Sequence, residues 1–420
     1  MNIILASIAA FLFLGLSLHK REWALYAVLL SLPAYLLRFS ITGIPFTLIE
    51  VFVLILFFVF LGQYLLIEKK PLRSLIPNRY IAGGILLFWS AAGIALLTTT
   101  ELTAGLGLFK AYIIEPVLLY IVFIHTITTP KQIRAVLLSL IMSASAISII
   151  ALIQYITGDG IPEPWNEWPG RRAVSVYGFP NAIGLFVAPI LSAVIALTIF
   201  DTAPTKQRLL FFIPVIVLLT AALISARVEG GLVAVIAATG MVLLSTKYRW
   251  HTLIAGAFGL VGLLNYAPTR AILLFQDVSG DVRLALWKGT WNLLSHHPFT
   301  GAGLAGFQSL YDTYRLDSHV ELLVYPHNIV FNFWAQLGLL GLIWLIAVIV
   351  IIVSSLRNTY KVAALRPFAV MLTAVFTSIA VYGLVDVPYF KNDLSLLFWI
   401  WLGILTVLWQ IHEKGDSSVK

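Results

Sequence analysis

The sequence contains no cysteine, and charged residues make up only 11% of its 420 positions. Without cysteine the chain can form no disulfide, thiol nucleophile or thiolate metal site. Soluble domains carry roughly 25% charged residues. A chain of this length with 60% hydrophobic residues therefore needs lipid around most of its exterior. The composition predicts an integral membrane protein.

Long apolar runs occupy most of the chain and predict one all-α, polytopic transmembrane helix bundle over residues 1–420. The first two runs are short and form either a hairpin or one imperfect span, so the count is twelve or thirteen helices. We expect a retained first helix, because residues 1–18 lack a basic start and a small-residue cleavage site. Runs that cross, or nearly cross, a bilayer core of ~30 Å fall at 3–18, 22–38, 46–67, 80–98, 104–127, 134–157, 180–200, 208–226, 229–246, 251–267, 327–354, 367–385 and 394–411.

Lysine and arginine are concentrated in every second connector between these runs. The net charge of +8 indicates cytoplasmic loops in a membrane protein and does not call for a nucleic-acid partner. We expect the basic connectors and the C-terminus in the cytoplasm. The intervening connectors should face the periplasm or the exterior; they are 39–45, 99–103, 158–179, 225–229, 268–326 and 386–393.

The longest outer connector, residues 268–326, has a helical pattern of its own. Ser279-Gly280-Asp281 is predicted to cap a helix over 282–295, on which Arg283, Trp287 and Trp291 share one face. A glycine turn at 301–303 leads to a second predicted short helix over 304–315. Because tryptophan favours the membrane interface, we expect this connector to form an interfacial cap.

Arginines collect on the predicted outer side, and the planar guanidinium fork suits a diphosphate. Arg227 stands in a short junction, so we expect it near apolar surroundings with Glu229 or a bound anion as partner. For Arg283 the alternative is an interfacial cation stacked on Trp287. Two more arginines, Arg171 and Arg172, precede Asn181 at the start of a predicted membrane helix.

His327 is the first candidate for a proton acceptor, because it follows Pro326 and begins a long apolar helix. A neutral imidazole accepts a proton at physiological pH, although a histidine here also serves as a simple polar cap. His296, His297 and His319 are the other candidates. Asp386, in the last outer turn, is expected to neutralise a neighbouring arginine. Neither D-x-D nor H-E-x-x-H occurs, so no metal site of those kinds is predicted.

Four segments, in this order, resemble the O-antigen ligase/polymerase superfamily of bacterial envelope glycan enzymes. Together they span residues 171–342. One position departs from the family pattern, because Gln336 stands where many relatives have glutamate. The segments are Arg171-Arg172-Ala173 through Gly178-Phe179-Pro180-Asn181, then Ser225-Ala226-Arg227, then Arg283-x-x-x-Trp287 running into His297-Pro298-x-x-Gly301-x-Gly303, and last Pro326-His327-Asn328 followed by Gln336-Leu337-Gly338.

The resemblance implies a GT-C-like glycosyltransferase of the bacterial cytoplasmic (inner) membrane. Such an enzyme moves a glycan from an undecaprenyl diphosphate carrier to an acceptor sugar hydroxyl on the outer side, with inversion and with no metal or other cofactor. Its partners would be the lipid-linked donor, a glycan or glycolipid acceptor and membrane lipids. Ligation to lipopolysaccharide core is the leading hypothesis. The alternatives are a repeat-unit polymerase with the same chemistry and an envelope transporter or flippase.

The resemblance also implies roles for individual residues. It makes His327 the general base and Arg227 and Arg283, together with Arg171 and Arg172, the ligands of the diphosphate. Supporting roles are expected for Asn181, Glu229, Trp287, His297, Asn328 and Asp386.

Overall fold

The architecture in the computed structural model is an all-α bundle, described over residues 3–41, 43–76, 78–201, 204–317 and 321–417. These ranges contain one two-stranded antiparallel hairpin, β1 (Arg38–Ile41) with β2 (Ile44–Thr47). The helices are α1 (Ile3–His19), α2 (Arg21–Leu30), α3 (Leu48–Gly62), α4 (Arg79–Thr98), α5 (Leu102–Leu108), α6 (Glu115–Thr126), α7 (Pro130–Thr157), α8 (Asn181–Phe200), α9 (Thr205–Ser225), α10 (Glu229–Leu244), α11 (Arg249–Asn265), α12 (Ala267–Leu273), α13 (Val278–His296), α14 (Phe307–Tyr314), α15 (Ile329–Lys361), α16 (Arg366–Gly383) and α17 (Asn392–Ser417).

Several helices of the described ranges are long and apolar enough to cross a membrane, which makes the chain a multi-pass membrane protein. Nine pass by length and composition, and α11 adds a tenth if it is joined to the helical segment that follows it across a bend of 106°. Two shorter apolar helices, α1 and α10, also lie in the bundle. If all of these cross, they number twelve, which agrees with the lower of the two predicted counts.

The predicted count of thirteen spans is wrong because the run 22–38 does not form a membrane-spanning helix. It forms the ten-residue α2, a 3-10 turn at Leu32–Leu36 and the start of β1. Pro33 lies in the first turn of that 3-10 segment, and proline removes the backbone N–H that would continue α2. The chain therefore leaves the helix and turns back through the hairpin.

The connectors separate into two ends of the bundle. At one end, here called the basic end, side chains pair between connectors: Arg21 Nη1 lies 3.7 Å from Glu68 Oε1, and Arg134 pairs with Asp201. Lys70 forms a hydrogen bond with Glu68 that lowers the pKa of this carboxyl. The opposite end, the cap end, holds β1–β2 and α12–α14. There the Ser309 hydroxyl of the cap donates to Glu101 Oε1 at 2.8 Å.

The cap helices form close to their predicted positions. α13 begins at Val278, four residues earlier than predicted, because the Asp277 carboxylate accepts from Gly280 N at 3.2 Å and caps the helix. α14 is shorter than predicted and spans Phe307–Tyr314. Buried apolar side chains of both helices, among them Leu293 and Phe307, form a small second core with Ala335 of α15.

A kink in α15 fastens the cap to the bundle. Gly338 has φ 65° and ψ −165° inside this helix, a conformation available essentially to glycine alone. A side chain at Gly338 would collide with the Phe299 carbonyl, and Leu339 N donates to that carbonyl at 3.0 Å. The Trp334 indole donates to Pro298 O at 2.7 Å. The backbone after α13 is thus held against the broken turn of α15.

Candidate functional site at the cap end

His327 lies at the junction between the cap and α15, in a strained backbone conformation. Its φ is +46°, which is uncommon for a residue with a side chain. The Nδ1 atom lies 3.3 Å from Oδ1 of Asp386, and the imidazole is about one-fifth exposed whereas the carboxylate is buried. The ring of Tyr325 packs 4.5 Å from the imidazole, centroid to centroid. Nδ1 thus lies near a buried carboxylate but without the alignment of a hydrogen bond.

Asp386 is held by Asn181 at the start of α8 and by the backbone of its own turn. Its Oδ2 accepts from Asn181 Nδ2 at 3.3 Å, and its Oδ1 accepts from Val387 N at 2.8 Å. Asn181 Oδ1 in turn accepts from Arg172 Nη2 at 3.1 Å. A continuous polar chain therefore runs from His327 through Asp386 and Asn181 to Arg172. The cation expected beside Asp386 is thus linked to it through an amide and not by direct contact.

Arg172 is engaged by the protein. Besides the bond to Asn181, its Nε donates to Ala226 O at 3.0 Å and its Nη2 to Arg227 O at 3.3 Å, while its guanidinium lies 5.0 Å over the Trp165 ring. Burial lowers the pKa of the Arg172 guanidinium, Glu229 opposes that shift, and the positive charges of Arg227 and Arg283 add to it. Arg227 and Arg283 are thus each within electrostatic range of Arg172, and Arg172 fixes the turn that carries Arg227.

Arg227 stands in that turn with φ +50°. The residue is exposed, between the buried Ala226 and Val228. Its Nη2 donates to Pro169 O at 2.6 Å, and among the described residues it forms no ion pair with Glu229. A protein carbonyl thereby orients one side of the guanidinium, and its other N–H groups form no hydrogen bond with the residues that the structure describes.

Arg283 lies on α13, one turn before Trp287, and is half-buried. No ion pair involves it within the described ranges. The Trp287 indole donates to Pro326 O at 3.0 Å, and its ring packs edge-on against Phe275 at 5.4 Å. Trp287 therefore ties the helix that carries Arg283 to the peptide unit immediately before His327.

Arg171, predicted as a diphosphate ligand, and the predicted supporting residues Asn328 and His297 hold local structure at the same end. Arg171 donates to Tyr155 O at 3.1 Å and lies 5.7 Å over Trp168. Asn328 caps α15 by accepting from Val330 N and Phe331 N, and its Nδ2 donates to Leu384 O at 3.0 Å. His297 Nε2 contacts the Tyr314 hydroxyl at 3.1 Å inside the cap.

The alternative histidines lie elsewhere. His296 is exposed and its Nδ1 is 2.8 Å from Asn292 O in its own helix, and His319 lies outside the described residues. Glu229 is exposed at the first position of α10, near Arg172 but without a pairing to Arg227.

Two further residues, which no sequence motif indicates, shape this end of the bundle. Tyr382 of α16 donates to Asn181 O at 3.2 Å and fits beside Gly184 and Gly230, where added side chains would strike it. Lys391 is a cation enclosed by rings, with Nζ 4.1 Å from the Tyr177 centroid and 5.0 Å from that of Phe179, and burial lowers its pKa. In the sequence, both look like ordinary connector or membrane residues, because the residues they contact are far away along the chain.

The structure gives Gln336 an anchoring role that its place in the sequence did not indicate. Its side chain is buried, and Oε1 accepts from Ala305 N at 2.9 Å, where Ala305 has φ +62°. A carboxylate at this position would offer the same kind of acceptor. The amide therefore preserves the anchor of the glycine turn.

Residues 188–346 match a protein-family model described as O-antigen ligase. The matched part contains Arg227, Arg283 and His327 and ends beyond the kink of α15. Among curated proteins, no match to this chain is found.

Proposed function

We propose that this chain, whose residues 188–346 match a family model described as O-antigen ligase, transfers a glycan from a polyprenyl diphosphate carrier to an acceptor sugar hydroxyl. The observation that carries this proposal is the convergence of Arg227 and Arg283, through Arg172, on the end of the bundle where His327 meets Asp386. Cations suited to a diphosphate and a group suited to take a proton therefore lie at the same end of the bundle.

The reaction we propose is a single displacement. The acceptor hydroxyl oxygen forms a bond to the anomeric carbon, the bond from that carbon to the diphosphate oxygen breaks, and the hydroxyl proton passes to His327 Nε2. Asp386 keeps the imidazole in the tautomer with hydrogen on Nδ1 and favours the cation that forms. One displacement inverts the configuration at the anomeric carbon.

The arginines act on the leaving group. Negative charge grows on the diphosphate as the anomeric bond breaks, and fixed guanidinium groups stabilise that state more than the ground state. Arg227 and Arg283 are the residues we assign to the diphosphate, because their guanidinium groups are not enclosed by protein partners as that of Arg172 is. Arg172 and Asn181 position the other members of the site.

We also propose that the cap end faces the periplasm or exterior, with the C-terminus of the chain in the cytoplasm, because the basic connectors lie at the opposite end. The absence of cysteine makes this directly testable. Ser295→Cys in the cap and Thr205→Cys at the basic end are both at exposed positions. A membrane-impermeant maleimide applied to intact spheroplasts should label the first variant and spare the second. The opposite pattern would reverse the proposed topology.

The experiment for the function uses the full chain in lipid nanodiscs with an undecaprenyl diphosphate-linked glycan. Two acceptors distinguish the closest activities: a lipopolysaccharide core for ligation, and a second lipid-linked repeat unit for polymerisation. Transfer to the core is the expected result. Extension of lipid-linked glycan alone would support the polymerase, whereas failure of both with a correctly folded protein would reject the proposed chemistry.

A further inference from the structure

A groove on the outside of the bundle lies between α4, α15 and α17, away from His327. Its volume is about 840 Å³, within the range of about 300–1,000 Å³ that is usual for small-ligand sites. Apolar side chains line most of it, and its inner end is closed by Tyr120, Trp344 and Trp399. Tyr80 and Val350 on its rim are well exposed, so the groove opens toward the surrounding lipid.

Two adjacent glycines of α4 keep this groove open. Gly83 and Gly84 both line it, and an added Cβ at either position would meet nothing within 4 Å. Glycine weakens a helix interior by roughly 1 kcal/mol relative to alanine. A pair of glycines beside an open space therefore leaves room at a cost in helix stability.

At the basic end the apolar groove continues into a polar cavity. This second cavity, of about 310 Å³, shares Asn358, Trp409 and Glu413 with the groove and is also lined by Lys361 and His412. An apolar groove that ends in cationic and polar side chains is complementary to an amphiphile with a charged head group. The ammonium of Lys361 suits a phosphate, and Glu413 suits a head-group amine.

The dimensions fit a lipid of one leaflet. From Asn358 to Trp344 the groove follows fourteen residues of α15, which is roughly 21 Å at 1.5 Å per residue. One leaflet contributes about 15 Å, half of a bilayer core of ~30 Å. A single acyl chain therefore has space to lie along the groove with its phosphate at the basic end.

The lipid-linked donor does not fit this position. Its diphosphate must reach the cap end, where His327 precedes α15, whereas Lys361 is the last residue of the same helix. A helix of this length spans roughly 50 Å when straight. A head group beside Lys361 is therefore on the far side of the membrane from the arginines.

We propose that this groove binds one glycerophospholipid of the leaflet at the basic end, with an acyl chain between α4 and α15 and its phosphate beside Lys361 and His412. The lipid would fill a gap that runs along α4, α15 and α17 at the basic end, whereas the candidate site with His327 lies at the cap end. The inference is independent of the proposed transfer reaction, because it rests on other residues at the opposite end.

The test measures lipid retained by the full chain in mild detergent by native mass spectrometry. Wild type should retain one phospholipid per chain. Gly84→Leu should lose it, because the new side chain fills the groove. Gly93→Leu is the matched control, since Gly93 lies on the same helix, has equally open space at Cβ and does not line the groove. The control should retain the lipid.

A second variant tests the head-group position without altering the helix interior. Lys361→Glu changes an exposed residue and should reduce phospholipid occupancy several-fold, whereas Lys247→Glu, an exposed lysine at the same end outside both cavities, should leave it unchanged. Equal retention in Gly84→Leu and Gly93→Leu, no retained lipid in wild type, or a retained polyprenyl phosphate would each overturn the proposal.

Discussion

The Nδ1 atom of His327, just before the N-terminus of α15, lies 3.3 Å from a carboxylate oxygen of Asp386, just after the C-terminus of α16. Asn181 at the start of α8 then holds the other carboxylate oxygen. The orientation of the imidazole thus depends on the relative positions of three membrane helices.

Asp386→Asn should slow transfer while preserving the fold. The amide keeps the shape of the carboxylate but removes the charge that favours the imidazolium formed during proton transfer, and its N–H₂ can force the wrong tautomer of His327. We expect a loss within the range of about 10²–10⁴ that general-base catalysis contributes, seen in kcat more than in KM. An Asp386→Asn enzyme with wild-type kcat would contradict the role of this pair.

Arg283→Lys and Arg172→Lys should both reduce the transfer rate, but for different reasons. Arg283 has its guanidinium available, so losing the planar fork should reduce transfer by about 10²–10³ with little change in thermal stability. Arg172 bonds two carbonyl oxygens and Asn181, so its substitution should also lower the unfolding temperature. Thermal unfolding by intrinsic tryptophan fluorescence, measured with the transfer rate, separates the two; equal destabilisation by both would contradict the distinction.

Trp287→Phe should reduce transfer without unfolding the bundle. The phenylalanine keeps the apolar ring beside Phe275 but removes the indole N–H that donates to Pro326 O at 3.0 Å. That bond fixes the peptide before His327, and its loss should cost about 1 kcal/mol. Trp291→Phe is the control on the same helix, because Trp291 packs edge-on against Trp334 and lies away from Pro326. Identical rates in the two variants would show that this anchor is unimportant.

Gln336→Glu should be tolerated and Gln336→Leu should not. A carboxylate can accept from Ala305 N as the amide oxygen does at 2.9 Å. Leucine leaves that N–H without its partner, which costs about 1–3 kcal/mol. The measurement is limited proteolysis of the cap, with rapid cleavage expected only in the leucine variant. Equal protection of all three proteins would rule out this anchoring role.

Gly338→Ala should loosen the cap at the kink of α15. A side chain at a backbone conformation with φ 65° and ψ −165° costs about 1–3 kcal/mol, and here it would also collide with the Phe299 carbonyl. Gly240→Ala is the matched control, since Gly240 is helical with open space around it. Tm should fall for the first variant and stay level or rise for the second; a fall in both would indicate general intolerance of alanine.

Much of the fold could be predicted from the sequence because lipid imposes a strong signal. Apolar runs of span length, together with basic residues in every second connector, indicate helix positions and their alternation between the two ends. The exception at residues 22–38 arises because composition alone does not distinguish a span from a short helix, a 3-10 turn and a strand. Pro33 was the local indication that the helix could not continue.

The candidate site could be predicted in its residue types but not in its contacts. Arg227, Arg283 and His327 stand in recognisable segments, whereas the partners of Arg172 and Asp386 lie far away in sequence. Tyr382 and Lys391 carry no local pattern at all. Their positions follow from helix packing, in which Gly184 and Gly230 give Tyr382 its space; such packing is a property of the assembled bundle.

In the proposed reaction His327 takes the acceptor proton while the arginines hold the donor. The most direct measurement is single-turnover transfer together with equilibrium binding of an undecaprenyl diphosphate-linked glycan, for wild type and His327→Ala in nanodiscs. We expect donor affinity close to that of wild type and a transfer rate lower by about 10²–10⁴, the contribution of a general base. Wild-type transfer by His327→Ala would contradict this expectation.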